Sequence, residues 1–184
     1  SIIFFLSLSA VCAETNDTDN QYGSSIGSFT DLESDINDTP NNAIIYLDRD
    51  YSFDESCDNK SAFKDGILID KNITIEGNNH VIDAKNLVRI FNINSGVVIR
   101  NVVLLNGFHW YGTYNFNLRD TNGGGAINII GGGLHLENST LLNHTAYSST
   151  TPKGTSTESG GGAICVSGNT YLYVDNCTFM TNRI

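Results

Sequence analysis

The period of the apolar positions changes along the chain. It opens on an unbroken apolar run, Ile2-Ile3-Phe4-Phe5-Leu6, continues through Leu8 and Ala10 to Val11-Cys12-Ala13, and turns polar at Glu14-Thr15-Asn16-Asp17. A run of this kind closing on small residues reads as a signal peptide over 1–13 whose basic start is missing. Spanning a bilayer takes roughly 20 apolar residues, more than this run supplies. Residues 14–26 are polar and without period, and read as a flexible lead-in. Phe29, Leu32 and Ile36 then recur at helical spacing. Thr30-x-x-Glu33 has the form of a capping box, which predicts a short helix ending before Pro40. Ala43-Ile44-Ile45-Tyr46-Leu47 is β-prone and Tyr51-Ser52-Phe53 alternates. Residues 27–66 therefore read as an N-terminal cap, with an amphipathic helix laid over the open end of the strands that follow.

From residue 67 the pattern repeats. Ile73-Thr-Ile75-Glu-Gly77 aligns with Val97-Val-Ile99-Arg-Asn101, Leu134-His-Leu136-Glu-Asn138 and Leu172-Tyr-Val174-Asp-Asn176. After the Gly or Asn, alternation resumes as Val103-Leu-Leu105, Thr140-Leu-Leu142 and Thr178-Phe-Met180. Gly123-Gly-Gly-Ala-Ile127 recurs letter for letter as Gly160-Gly-Gly-Ala-Ile164, and the Gly/Asn column is spaced by 24, 37 and 38 residues. Short strands of period two with one apolar face must stack to bury that face. The expected fold is all-β, a right-handed parallel β-helix over 67–184 with a short N-terminal capping helix. Asn101, Asn138 and Asn176 would stack at one corner as an amide ladder. The triple glycines would mark sharp turns beside a neighbouring strand. The longer intervals leave room for excursions of about a dozen residues. A leucine-rich repeat would place its Asn one residue later and add helical segments, and a β-sandwich would not need identical glycine blocks.

Gly160-Gly-Gly-Ala-Ile164 followed by Cys177-Thr-Phe179-Met-Thr-Asn182 resembles the repeat of polymorphic outer-membrane proteins, G-G-A-I and then F-x-x-N. Ile73-Thr-Ile75-Glu-Gly77-Asn78-Asn79-His80-Val81-Ile82-Asp83-Ala84, with Phe91-Asn92-Ile93 and Val98-Ile99-Arg100-Asn101-Val102, is similar to adhesin-like surface proteins of methanogenic archaea. The resemblance covers roughly residues 28–184 and implies a parallel β-helix with an adhesive role at the cell surface. The earlier repeat departs from it, with Leu141-Leu142-Asn143-His144 where F-x-x-N would stand.

Charge narrows the partners. Lys and Arg number 10 against 20 Asp and Glu, a net charge of −10. That surface repels a phosphate backbone, so nucleic acid is not an expected partner. Beyond the signal segment stand Cys57, Cys165 and Cys177, with no C-x-x-C pair to point to zinc. Secretion permits a Cys165–Cys177 disulfide, and buried thiols are the equal alternative. Carboxylates Glu76, Glu137 and Asp175 share an outward column with Arg100. A calcium ion or a polysaccharide-cleaving site would need Glu137 beside Asp175. The simpler reading is a solvated face with one salt bridge. His80, His109, His135 and His144 share no column. No catalytic residue, metal or cofactor is therefore assigned, and the chain is not expected to be an enzyme.

The chemistry that stands out is aromatic. Phe108, His109, Trp110, Tyr111, Tyr114 and Phe116 crowd one excursion, 108–122, with Asn115, Asn117 and Arg119 beside them. Flat rings beside amides suit stacking on sugars or a protein hot spot, and packing back on the strands is the plain alternative. The excursion at 145–159 is rich in Ser and Thr and reads as bland and solvent-exposed. N-x-[ST] acceptors occur at Asn16, Asn37, Asn59, Asn72, Asn138, Asn143 and Asn176, and the first three suit glycosylation best because Asn138 and Asn176 are ladder residues. The functional expectation is a secreted, adhesin-like or wall-associated protein whose loops meet a cell-wall polymer, a glycan or a protein on a partner cell. The alternatives are a carbohydrate-active enzyme on the same scaffold and a structural spacer. Further strands and an anchor are expected beyond Ile184, and without them residues 67–184 are expected to expose an apolar end prone to association.

Overall fold

The structure, a computed structural model, describes residues 25–111, 123–148 and 161–184. The expected signal segment and most of the lead-in lie outside these residues, as do 112–122 and 149–160.

Helix α1 (Phe29–Asp38) forms where the helical period is, and its apolar stripe Phe29, Leu32 and Ile36 is fully buried. Its N-cap is Ser28: the hydroxyl accepts from the Asp31 N–H while the Asp31 carboxylate accepts from the Ser28 N–H. The capping box thus lies two residues ahead of the expected Thr30 and Glu33. The helix stops at Thr39, ahead of Pro40, since the residue before a proline is pushed toward extended backbone.

Strands β1 (Ala43–Tyr46) and β2 (Tyr51–Ser52), helix α2 (Lys60–Phe63) and strands β3 (Ile67–Ile69), β4 (Ile73–Glu76) and β5 (Val81–Asp83) come next. They are followed by β6 (Phe91–Arg100), β7 (Val103–Leu105), β8 (Phe108–Tyr111), β9 (Ile127–Glu137), β10 (Thr140–Leu142) and β11 (Thr145–Ser148), then β12 (Ile164–Val166), β13 (Tyr171–Asp175) and β14 (Thr178–Met180). A seven-stranded sheet runs β1-β4-β6-β9-β12, with β3 also on β6 and β13 also on β9. A five-stranded sheet runs β2-β5-β7-β10-β14, and β8 pairs β11 as a sheet of two. All strand pairings among the described residues are parallel.

The expected all-β right-handed parallel β-helix is corrected here: among the described residues the strands form three separate sheets, not joined into one closed wall, and two helices accompany them. The asparagines supply the physical reason. Asn101, Asn138 and Asn176, at φ 54, 46 and 48°, stand between the first two sheets, and Asn106 and Asn143, at φ 51 and 60°, between the second and third. A left-handed residue cannot continue a strand, and Asn tolerates that region better than most. Each corner therefore ends one sheet before the next begins.

Within the seven-stranded sheet like stands on like. Ile73, Val97, Leu134 and Leu172 are successive Cα partners, as are Ile75, Ile99, Leu136 and Val174. The first three of each set are buried, and each such side chain contributes about 1.5–3 kcal/mol relative to exposure. The glycine blocks serve close approach. A Cβ on Gly125 would fall 2.6 and 2.7 Å from the Thr145 backbone oxygen and nitrogen, and one on Gly162 would meet the backbone of Arg183. Gly124 alone of its block has positive φ, 84°.

Candidate functional site

The two-stranded sheet carries the aromatic residues that the sequence singles out. In the β8–β11 register Phe108 faces Thr145, His109 faces Ala146, Trp110 faces Tyr147 and Tyr111 faces Ser148. Period-two alternation turns His109 and Ala146 inward, where both are buried, and Trp110 and Tyr147 outward, where they are 58 and 52 % exposed. The indole and the phenol ring are borne at adjacent register positions, one strand spacing of about 4.8 Å apart. Beside them lies a half-open groove of about 480 Å³ lined by Lys60, Lys64, Asp65, Leu87, Phe108, His109 and Trp110.

Buried polar groups fix these walls. The Arg89 guanidinium, almost wholly buried, donates through Nε to the Gly124 carbonyl (2.8 Å), through Nη2 to that of Gly123 (3.0 Å) and through Nη1 to that of Asp65 (3.3 Å). One side chain thereby ties the groove rim at Asp65 to the glycine block preceding β9. Burial pulls its pKa down to about 10, so it stays charged at neutral pH. The start of β8 is fixed by His144, which is fully buried: Gly107 N–H donates to Nδ1 (2.8 Å) and Nε2–H donates to the Leu104 carbonyl (3.0 Å). Burial pushes this imidazole down to about 4, although the bond to Leu104 opposes the shift, so it is neutral with its proton on Nε2. Phe108 N–H donates to the Val88 carbonyl at 2.8 Å. On the rim Asn59 caps α2 by accepting from Ser61 N–H (2.9 Å). Lys60 and Lys64 hold loose, exposed pairs with Glu55 (4.0 Å) and Asp65 (3.7 Å), of the kind worth ~0–1 kcal/mol.

Phe108 and Trp110 thus line the groove, and Tyr111 ends β8. Tyr114, Phe116 and Arg119 lie outside the described residues, and so does Asn16. Asn37 and Asn59 are exposed. Tyr147, which the Ser/Thr-rich reading of 145–159 passed over, stands on a strand and not in a bland loop. Its cue was spacing: Tyr147 follows Asn143 by four residues as Trp110 follows Asn106.

The amide ladder is shorter than the sequence column. Asn176 Nδ2 donates to Asn138 Oδ1 (2.8 Å), but the Asn101 amide donates to the Glu76 carboxylate (2.8 and 3.0 Å). A second amide pair, unforeseen, joins Asn143 Nδ2 to Asn106 Oδ1 (2.7 Å), and Asn106 in turn donates to Asp83 (2.9 Å). In the charged column Arg100 Nε donates to Glu76 (2.8 Å). Burial raises the Glu76 pKa, but bonds from Asn101, Asn78 N–H and Arg100 outweigh it, and the carboxyl is held below its ordinary value. Glu137 and Asp175 are register partners, and Glu137 Oε1 lies 3.3 Å from His135 Nδ1. Among the described residues no group of three His, Cys, Asp or Glu is arranged to hold a metal. Cys165 and Cys177 are not joined as a disulfide, and the Cys177 thiol donates to the Asp175 carbonyl (3.1 Å).

No known protein family, curated protein or solved structure matches this chain.

Proposed function

We propose that this chain is a secreted, adhesin-like or wall-associated binding protein that holds a glycan or cell-wall polymer on the β8–β11 sheet. One observation carries the reading: Trp110 and Tyr147 occupy adjacent register positions and are more than half exposed on strands whose neighbouring backbone is pinned by buried Arg89 and His144. Rings borne on a pinned backbone leave less of the chain to order when a sugar face stacks on them, so more of the stacking energy appears as affinity. The groove beside them offers Leu87 and Phe108 for apolar contact, with Lys60, Lys64 and Asp65 at the rim for hydroxyls. The resemblance of the repeats to surface adhesins points to the same setting.

The test is a binding screen of the chain against soluble cell-wall polysaccharides, comparing wild type with Trp110→Ala/Tyr147→Ala and assaying each polymer for cleavage. Loss of two stacking rings is expected to weaken binding by about tenfold or more, at ~0.5–1.5 kcal/mol per ring, with the polymer left intact. Equal binding by wild type and variant, or cleavage of the polymer, would sink the proposal.

A further inference from the structure

A second aromatic surface lies elsewhere, on the outward face of the seven-stranded sheet. In the β9–β13 register Tyr171 stands on Gly133, Tyr173 on His135 and Asp175 on Glu137. A Cβ on Gly133 would fall 2.5 Å from three atoms of the Tyr171 ring, so that ring lies down across β9 where the glycine leaves the backbone bare. Its hydroxyl extends to the next strand, 3.8 Å from where a Cβ on Gly96 would be. Tyr173 packs against it, centroids 5.5 Å apart at 50°, and meets the His135 imidazole edge-on at 6.0 Å and 68°. Both tyrosines stay open to water, at 49 and 63 %.

We infer that this face is a binding platform for a neutral, hydroxyl-rich polysaccharide, separate from the Trp110 groove. Three features choose that ligand. Tyr171 lies on a glycine floor and Tyr173 is set against it and His135, which suits the flat face of a sugar. A protein hot spot would instead need a desolvated pocket to receive a side chain, and the rings here present open faces. Glu137 and Asp175 stand beside the rings while Arg100 is engaged by Glu76. Carboxylates accept hydrogen bonds from sugar hydroxyls and repel a polyanion, on a chain already at −10.

The experiment is affinity electrophoresis of the full chain through gels containing hydroxyethylcellulose, dextran or polygalacturonate, with a fluorescent lysine-rich peptide as a fourth probe in solution. Wild type, Tyr171→Ala/Tyr173→Ala, and Trp110→Ala/Tyr147→Ala are compared, each first confirmed to be folded by circular dichroism. Retardation by at least one neutral polymer is expected, weakened about tenfold by loss of the two tyrosines and still measurable in the Trp110/Tyr147 variant. Gly133→Leu, which dislodges Tyr171 without removing it, should weaken retardation in the same direction. The inference is overturned if neither neutral polymer retards the wild type, if Tyr171→Ala/Tyr173→Ala is retarded as strongly as wild type, or if polygalacturonate or the basic peptide is the probe whose binding those tyrosines control. Failure of the Trp110 reading would show separately, as retention unaffected by Trp110→Ala/Tyr147→Ala.

Discussion

The two ends of the stacked strands carry the same kind of residue in different surroundings. At one end α1 lays Phe29, Leu32 and Ile36 on the core, and Phe53 and Phe63 meet Phe29 edge-on at 5.6 and 5.9 Å. At the other end Val174 and Phe179 stand in the columns of Leu136 and Leu141 and are their register partners. Yet Leu136 and Leu141 are sealed, while Val174 and Phe179 are 46 and 44 % exposed. The sequence pattern at the two positions of each column is the same, so pattern alone does not set burial. What sets it is whether something lies above, and among the described residues the α1 end has a cover that the β13–β14 end lacks.

The largest effect that tests this contrast compares two alanines in one column. Leu136→Ala opens a cavity inside the stack and is expected to cost about 2–5 kcal/mol. Val174→Ala, one strand along, should cost under about 1 kcal/mol, because its side chain is already half in water. Urea unfolding of the two variants reads the difference directly. Equal losses would mean that Val174 is covered in solution and that the two ends are alike.

The sequence makes this contrast only half visible, and for physical reasons. The columns are legible because period two and the repeated glycine block leave few ways to superpose the strands, and the residues that the repeat aligns are the Cα partners. The α1 stripe was legible from Phe29, Leu32 and Ile36, while its cap moved to Ser28 and Asp31 because several Ser, Thr and acidic residues there can each play the part. The division into three sheets was not legible. An Asn after an apolar pair suggests a stacked amide but does not reveal its φ, and only the backbone tells that Asn101, Asn106, Asn138 and Asn143, stacked or not, are left-handed breaks. At the site, Phe108 and Trp110 stood out by density of rings. Tyr147 was hidden by its Ser and Thr neighbours, and Tyr171 and Tyr173 by occupying outward positions, which the apolar pattern leaves unconstrained.

A smaller effect lies one strand in from the open end. His144 is sealed there, with its backbone N–H donating to Asn182 Oδ1 at 3.0 Å. Its folded pKa is depressed from 6.5 to about 4. Above pH 6.5 both folded and unfolded chains carry it neutral, and its contribution is fully present. As pH falls below 6.5 the unfolded chain takes up a proton that the folded chain refuses, so stability declines until about pH 4, by up to about 3 kcal/mol. The carboxyls of Asp50, Glu76 and Asp83 are all held below their ordinary values. Their contributions are likewise lost as pH falls, but mainly below pH 5, and the other three histidines are common to wild type and variant, so the difference between the two over 6.5 to 5 isolates His144. Unfolding free energies measured across that interval should slope with pH in the wild type and be flatter in His144→Gln. An identical slope in both would show that the imidazole is reached by water, and that the open end admits solvent one strand deeper than the structure places it.

The smallest effect would make the covered end resemble the open one. Asp58 is buried beneath the start of α1, where Oδ2 accepts from Phe29 N–H (3.1 Å) and Asp54 N–H (2.8 Å) and Oδ1 from Thr30 N–H (2.9 Å) and hydroxyl (2.8 Å). It satisfies amides that the helix itself cannot and sets a negative charge at the positive end of the dipole. Ser28 and Asp31 hold the adjoining amides, and Lys71 Nζ holds the far end through the carbonyls of Asn37 (2.7 Å) and Thr39 (2.9 Å). Asp58→Ala should therefore loosen the helix without releasing it, at about 1–2 kcal/mol, and Asp58→Asn, which keeps one acceptor, should cost less. Hydrogen exchange is the measurement: amides of α1 should exchange faster in Asp58→Ala while those of β9 change only by the global loss. If α1 and β9 accelerate equally, the helix does not act as a separable cover, and the closed end is stable for the same reason as the middle of the stack.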